Sequence, residues 1–83
     1  MLHVAKISRE TNTRAYGRLS DGTCFEVVKH LGSGRFEIRH MEQGVGRGKT
    51  RRILTPAQRL VIRCHPMAVA IRAADIHAGT PDE

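Results

Sequence analysis

Between Arg14 and Met41 apolar and polar residues alternate with a period of two, interrupted at Ser20-Asp21-Gly22 and again at Gly32-Ser33. Alternate side chains of a strand face opposite sides of a sheet, so the pattern predicts three antiparallel strands: Arg14 to Leu19, Thr23 to Leu31 and Gly34 to Met41. The first turn fixes the register. A two-residue Asp-Gly loop would set Tyr16 and Arg18 beside Val27 and Phe25, whereas a three-residue loop with Gly22 in the left-handed position pairs Leu19 with Thr23 and Gly17 with Phe25. Only the second keeps apolar and polar side chains apart. A two-residue Gly32-Ser33 loop then pairs Leu31 with Gly34, Lys29 with Phe36, Val27 with Ile38 and Phe25 with His40.

Both hairpins converge on one buried face of Ala15, Gly17, Leu19, Phe25, Val27, Leu31, Phe36 and Ile38. The opposite face collects Arg14, Tyr16, Arg18, Glu26, His30, Arg35, Glu37 and Arg39, with Cys24, Val28 and Met41 among them, and is expected to be polar and exposed, Glu26 pairing across strands with Arg39. The weaker alternation from Leu2 to Ser8 predicts a fourth strand, joined to the first hairpin by Arg9 to Thr13.

Beyond Leu54 the period changes. Thr55-Pro56-Ala57-Gln58 reads as a helix start, with Thr55 as N-cap, Pro56 in the first helical position and Gln58 closing a capping box. Ala57, Leu60, Val61 and Cys64 recur at helical spacing and predict the buried side of that helix, with Arg59 and Arg63 on the other. The β-branched Val61 and Ile62 leave Arg59 to Cys64 open to a strand reading. Pro66 ends or kinks the helix, and Met67 to Ala78 resumes the pattern up to Gly79. Met67, Ala70, Ile71 and Ala74 form its inward stripe, and Val69 and Ile76 make it apolar most of the way round, so burial from more than one side, as in a homodimer, is expected.

The 83 residues therefore predict one small α+β domain over residues 1–79: a three- or four-stranded antiparallel meander (2–42), a basic Gly-rich loop (43–54), and two short helices or one Pro-kinked helix (55–78) packed on one sheet face. Residues 80–83 form an acidic tail expected to fray. The N-terminal stretch lacks the apolar core of a secretory signal, and no run approaches the roughly 18 apolar residues of a spanning helix, so a cytoplasmic protein with no membrane partner is expected. In that setting Cys24 and Cys64 are expected as thiols.

Charge sharpens the picture. Fourteen Lys and Arg against eight Asp and Glu give +6, and the excess is uneven: residues 43–74 hold seven basic residues and no acid. Eleven of the fourteen cations are Arg, whose planar fork suits phosphate or carboxylate contacts. Within the acid-free window, Gly44 to Arg52 (GVGRGKTRR) resembles a phosphate-binding loop, but Gln43 stands where the first glycine belongs and a new helix start follows at Thr55, so a nucleotide cradle is excluded. The remaining expectation is a flexible segment presenting Arg47, Lys49, Arg51 and Arg52 to a polyanion, joined by Arg59 and Arg63 of the first helix.

Arg14, Tyr16, Arg18 and Arg39 are second candidates, because Tyr16 between two arginines combines stacking with phosphate contact. A platform for several bases is poorly supplied by one Tyr, two Phe and no Trp. No enzyme is expected. Cys24, Cys64, His3, His30, His40, His65 and His77 show no paired metal-ligand spacing, and Glu26, Glu37 and Glu42 are expected on or beside the exposed sheet face, ionised next to arginines. The sequence thus points to a small regulatory or accessory binder of nucleic acid, without cofactor or metal, or to an adaptor or inhibitor docking on an acidic protein surface.

Overall fold

Why the N-terminal strand alternates so poorly is plain from its pairing. A computed structural model describes residues 1–41 and 53–74, and in it β1 (Val4–Glu10) carries two register shifts, between Val4 and Lys6 and between Ile7 and Arg9. Each inserts an extra residue that breaks the period of two and bends an edge strand away from chance partners. β1 runs two residues beyond Ser8, and the connection shrinks to Thr11-Asn12-Thr13, closed by Thr11 Oγ1 accepting from the Arg14 amide at 3.1 Å.

β2 (Arg14–Leu19), β3 (Cys24–Lys29) and β4 (Phe36–Met41) follow, giving one antiparallel sheet in the order β1-β2-β3-β4. The expected register holds throughout: Gly17 faces Phe25, Val27 faces Ile38, and Lys29 faces Phe36. The first turn is the three-residue loop, with Leu19 N–H donating to Thr23 O at 2.8 Å and Gly22 at φ 93°, a left-handed conformation that favours glycine. The second turn is wider than a two-residue loop. His30 pairs with Arg35, the Gly34 amide donates to His30 O at 2.7 Å, and Gly32 and Gly34 both take positive φ. Opening the loop by one residue on each side preserves the register but lifts Leu31 out of the expected buried face, to 71 % exposure.

Two helices pack on one face of the sheet: α1 (Pro56–Arg63) and α2 (Pro66–Ala73). Ala15, Leu19, Phe25, Val27 and Ile38 meet Leu54, Ile62, Met67, Ala68 and Ile71 in one buried cluster. Gly17 has a packing role here. A Cβ on it would stand 2.5 Å from the Lys6 carbonyl oxygen and 2.6 Å from Phe25 Cζ, so only glycine lets the phenyl ring and β1 close on β2.

The capping box forms as predicted, with Thr55 Oγ1 accepting from the Gln58 amide at 3.1 Å and Gln58 Oε1 accepting from the Thr55 amide at 2.9 Å. Arg59 to Arg63 is helical, and the strand reading fails. The helix is, however, rotated about its axis from the expected orientation: Ile62 is fully buried and Gln58 and Val61 flank it, whereas Ala57, Leu60 and Cys64 face outward. The cause is the other end of the Gln58 side chain, whose Nε2 donates to Asp21 Oδ2 at 3.0 Å and Thr23 Oγ1 at 3.1 Å and so turns that side of α1 toward the β2–β3 turn.

Pro66 starts a separate helix rather than a kink. His65 caps it, its Nδ1 accepting from the Met67 amide at 3.0 Å. Lys29 Nζ closes the far end by donating to the Arg72 and Ala74 carbonyls, each at 2.8 Å, where a cation also favours the helix dipole. Met67, Ala68 and Ile71 are its buried residues; Ala70 is exposed and Val69 is 53 % exposed, so within its described span α2 is buried from one side only. Residues 75–78 of the expected helix, and the tail, lie outside the described residues.

Candidate functional site

The face of the sheet turned away from the helices is assembled from rows of directly paired residues. One row reads Lys6, Arg18, Cys24, Met41; the next reads Arg9, Tyr16, Glu26, Arg39; a third holds Arg14, Val28 and Glu37. Adjacent strands lie about 4.8 Å apart and successive rows about 7 Å apart, so these side chains form one continuous surface. No described element packs on it.

Its centre is not the exposed polar lattice the alternation predicts. Glu26 is 5 % exposed and Val28 1 % exposed, although Val28 stands outside the main core cluster. Glu26 is buried by its own partners: Arg14 Nη1 donates to its Oε2 at 2.8 Å, and Arg39 Nε lies 3.3 Å from its Oε1. Long arginine stems lying along a sheet cover apolar and polar neighbours alike while their heads keep water.

The same Arg14 nitrogen lies 3.2 Å from the Tyr16 hydroxyl, and this hydrogen bond, with the Glu26 charge second, raises the Arg14 pKa. Glu37 extends the network, accepting from His30 at 2.7 Å and Arg35 at 3.4 Å and lying 3.7 Å from Arg39. The His30 hydrogen bond, followed by the charges of Arg35 and Arg39, holds the Glu37 carboxyl below its ordinary range.

The cations of this face therefore divide into two kinds. Arg14 and Arg39 are tied to Glu26, whereas Lys6, Arg9 and Arg18 are exposed and have no carboxylate within ion-pair distance among the described residues. Tyr16, half-buried, sits between the two groups. No known protein family, curated protein or solved structure matches the chain.

The candidate residues fall on different sides of the molecule. Arg14, Tyr16, Arg18 and Arg39 share the outer sheet face. Arg59 and Arg63 belong to α1, across the sheet from them, and the Arg59 guanidinium is spent in part on the Ile38 carbonyl at 3.3 Å. Arg47, Lys49, Arg51 and Arg52 lie outside the described residues.

Lys6 and Arg9 are the residues sequence reasoning missed. Their signal was hidden by the bulges, which place both on the outer face although an unbroken period of two would separate them. A hollow of about 400 Å³ between Thr11-Asn12-Thr13 and α2 lies on the helix side and has Glu10 as its charged wall, which does not suit an anion. Among the described residues no cluster of three His, Cys, Asp or Glu side chains is placed to hold a metal ion, and no helix is long and apolar enough to cross a membrane.

Proposed function

We propose that this protein is a small cytoplasmic nucleic-acid-binding protein with a regulatory or accessory role, and that it holds phosphates on the outer face of its sheet. The observation that carries the reading is the set of three cations, Lys6, Arg9 and Arg18, that have no carboxylate partner among the described residues and gather around Tyr16 on a face that no described element covers. Cations without carboxylate partners keep their full attraction for an incoming polyanion, whereas Arg14 and Arg39 are half neutralised by Glu26. The cations Arg47, Lys49, Arg51 and Arg52 follow in sequence on Met41, which ends the row holding Lys6 and Arg18, and would supply a second group of phosphate contacts.

Salt dependence tests the proposal. Three phosphate contacts predict a log–log slope of about −2 to −3 for the association constant against salt, steeper if the 44–52 segment contributes. Fluorescence anisotropy of labelled oligonucleotides measures it, and the absence of binding to both single strand and duplex at low salt would refute the reading.

A second reading, docking on an acidic protein surface, draws support from α1. Its outward side carries Leu60 at 60 % exposure beside Arg63, with Ile53 at 83 % just before the helix. Apolar residues rimmed by cations are the composition of a protein contact. Affinity retention of partners from native cytoplasm, lost in Leu60→Glu and insensitive to nuclease, would favour it over nucleic acid.

A further inference from the structure

We infer that the ligand of the outer sheet face is a single strand of nucleic acid, its backbone along β1 and β2 and one unpaired base stacked on Tyr16. The inference rests on the reading just given and narrows it to a substrate class.

The outer face has two electrostatic halves. On this face β1 and β2 hold Lys6, Arg9, Arg14 and Arg18 and no carboxylate of their own, four positive charges of which only Arg14 is paired, to Glu26 of β3. On the β3–β4 side Glu26 and Glu37 are balanced by Arg39 and by Arg35, which directly precedes β4 and lies 3.4 Å from Glu37, beside Cys24, Val28 and Met41. A phosphate backbone is therefore attracted to one half only. That half is two strands wide, about 5 Å between strand axes. A duplex presents two phosphate ridges flanking grooves about 6 and 12 Å wide, so a duplex seated on the cationic half would bring its second ridge over Glu26 and Glu37. A single strand has one ridge, and its bases are available to turn toward the uncharged half.

Tyr16 stands at the boundary, with Arg9 paired to it on one side and Glu26 on the other. Its hydroxyl is tethered to Arg14, which is itself fixed by Glu26 at 2.8 Å. The ring is thus ordered before any ligand arrives, and less conformational freedom is lost on binding. Arg18 and Tyr16 are two residues apart on β2, about 7 Å along the strand, which lets a phosphate at Arg18 and Lys6 reach Tyr16 with its own base. Stacking on one aromatic tolerates any base, and Phe25, fully buried on the other side of the sheet, offers no second platform.

The test uses the full chain and follows its aromatic ring signals by NMR. With a single tyrosine in the sequence, the Tyr16 resonances need no assignment by mutation, and the buried Phe25 ring serves as an internal control. A short DNA oligonucleotide, its RNA counterpart and the DNA duplex of the same sequence are titrated separately at low salt. The inference predicts upfield movement of the Tyr16 ring protons with either single strand, and a smaller movement of Phe25. It also predicts that Tyr16→Ala weakens single-strand binding roughly tenfold to hundredfold, that Tyr16→Phe restores most of it, and that residual duplex binding is insensitive to both. Tighter binding of RNA than DNA, or the reverse, supports the inference and assigns the sugar.

Duplex bound as tightly as single strand, or a Tyr16 ring that stays in place while the single strand saturates the protein, overturns the inference and leaves the broader reading standing. Absence of binding by all three removes both.

Discussion

Glu26→Gln is expected to lower stability and raise affinity for nucleic acid at once, because the carboxylate both anchors its two arginines and neutralises them. Glutamine keeps the shape of the side chain and removes its charge from a position 5 % exposed. The lost contacts are the 2.8 Å bond from Arg14 and the 3.3 Å approach of Arg39. Hydrogen bonds to charged groups contribute about 1.5–3 kcal/mol each, but the Arg14 and Arg39 side chains are 45 % and 46 % exposed and recover much of their hydration. The net loss is then about 1–2 kcal/mol, equivalent to a fall in Tm of about 5–15 °C for a domain of this size.

The same change releases the Arg14 guanidinium toward an incoming backbone and leaves Arg39 only its 3.7 Å approach to Glu37. Affinity for a single strand at low salt should rise roughly two- to fivefold, and each new contact should steepen the salt slope by about 0.7. Thermal unfolding followed by circular dichroism and anisotropy titrations at several salt concentrations measure the two effects. An unchanged or higher Tm would show that the buried carboxylate anchors nothing. Weaker binding by a folded variant would show that Glu26 organises the arginines for the ligand rather than competing with it.

Gly17→Ala should destabilise the fold by about 1–3 kcal/mol, because its Cβ would meet the Lys6 carbonyl oxygen at 2.5 Å and Phe25 Cζ at 2.6 Å; a variant as stable as the parent in urea would contradict the close packing of β1. Asp21, whose carboxyl is lowered by the Thr23 amide and then by the Gln58 and Thr23 side chains, and Glu37, lowered chiefly by His30, should make stability fall in acid. Both are lower in the fold than in the unfolded chain, so their stabilisation is whole above their ordinary values of 3.8 and 4.5 and is lost as pH drops through the folded ones. Urea midpoints that rise between pH 5 and pH 3 would contradict this. If the chain pairs through the region 67–78, Val69→Glu should convert a dimer to a monomer in sedimentation; a parent that sediments as a monomer at high concentration would remove the idea.

The hairpin registers were legible because each rests on local chemistry: a glycine able to take φ 93° at position 22, and a side-chain period that makes a one-residue slip costly across Leu19, Phe25, Val27 and Ile38. The start of α1 was legible for the same reason, since Thr55, Pro56 and Gln58 act within four residues of each other.

What failed depended on distant partners. The rotation of α1 is set by Gln58 reaching Asp21 and Thr23 across the fold, which no helical periodicity contains, so Leu60 and Cys64 were expected inside and stand outside. Glu26 looked like an exposed member of an alternating strand; its burial comes from Arg14 and Arg39 folding over it from the strands on either side. Part of the cationic surface was visible as Arg14, Arg18 and Arg39. The rest, Lys6 and Arg9, reached the same face only through two bulges that erased the pattern used to find strands.

Whether the outer sheet face, rather than the helical side, meets the nucleic acid is decided by two sets of charge reversals compared in one anisotropy experiment. The ligand is a single-stranded oligonucleotide at low salt. One variant carries Lys6→Glu, Arg9→Glu and Arg18→Glu together, the other Arg63→Glu and Arg72→Glu together, with circular dichroism confirming that both fold. The sheet variant should lose most of its affinity and most of its salt slope, while the helix variant stays within a few-fold of the parent. A sheet variant that binds like the parent, with the loss confined to the helix variant, would contradict an outer-face site.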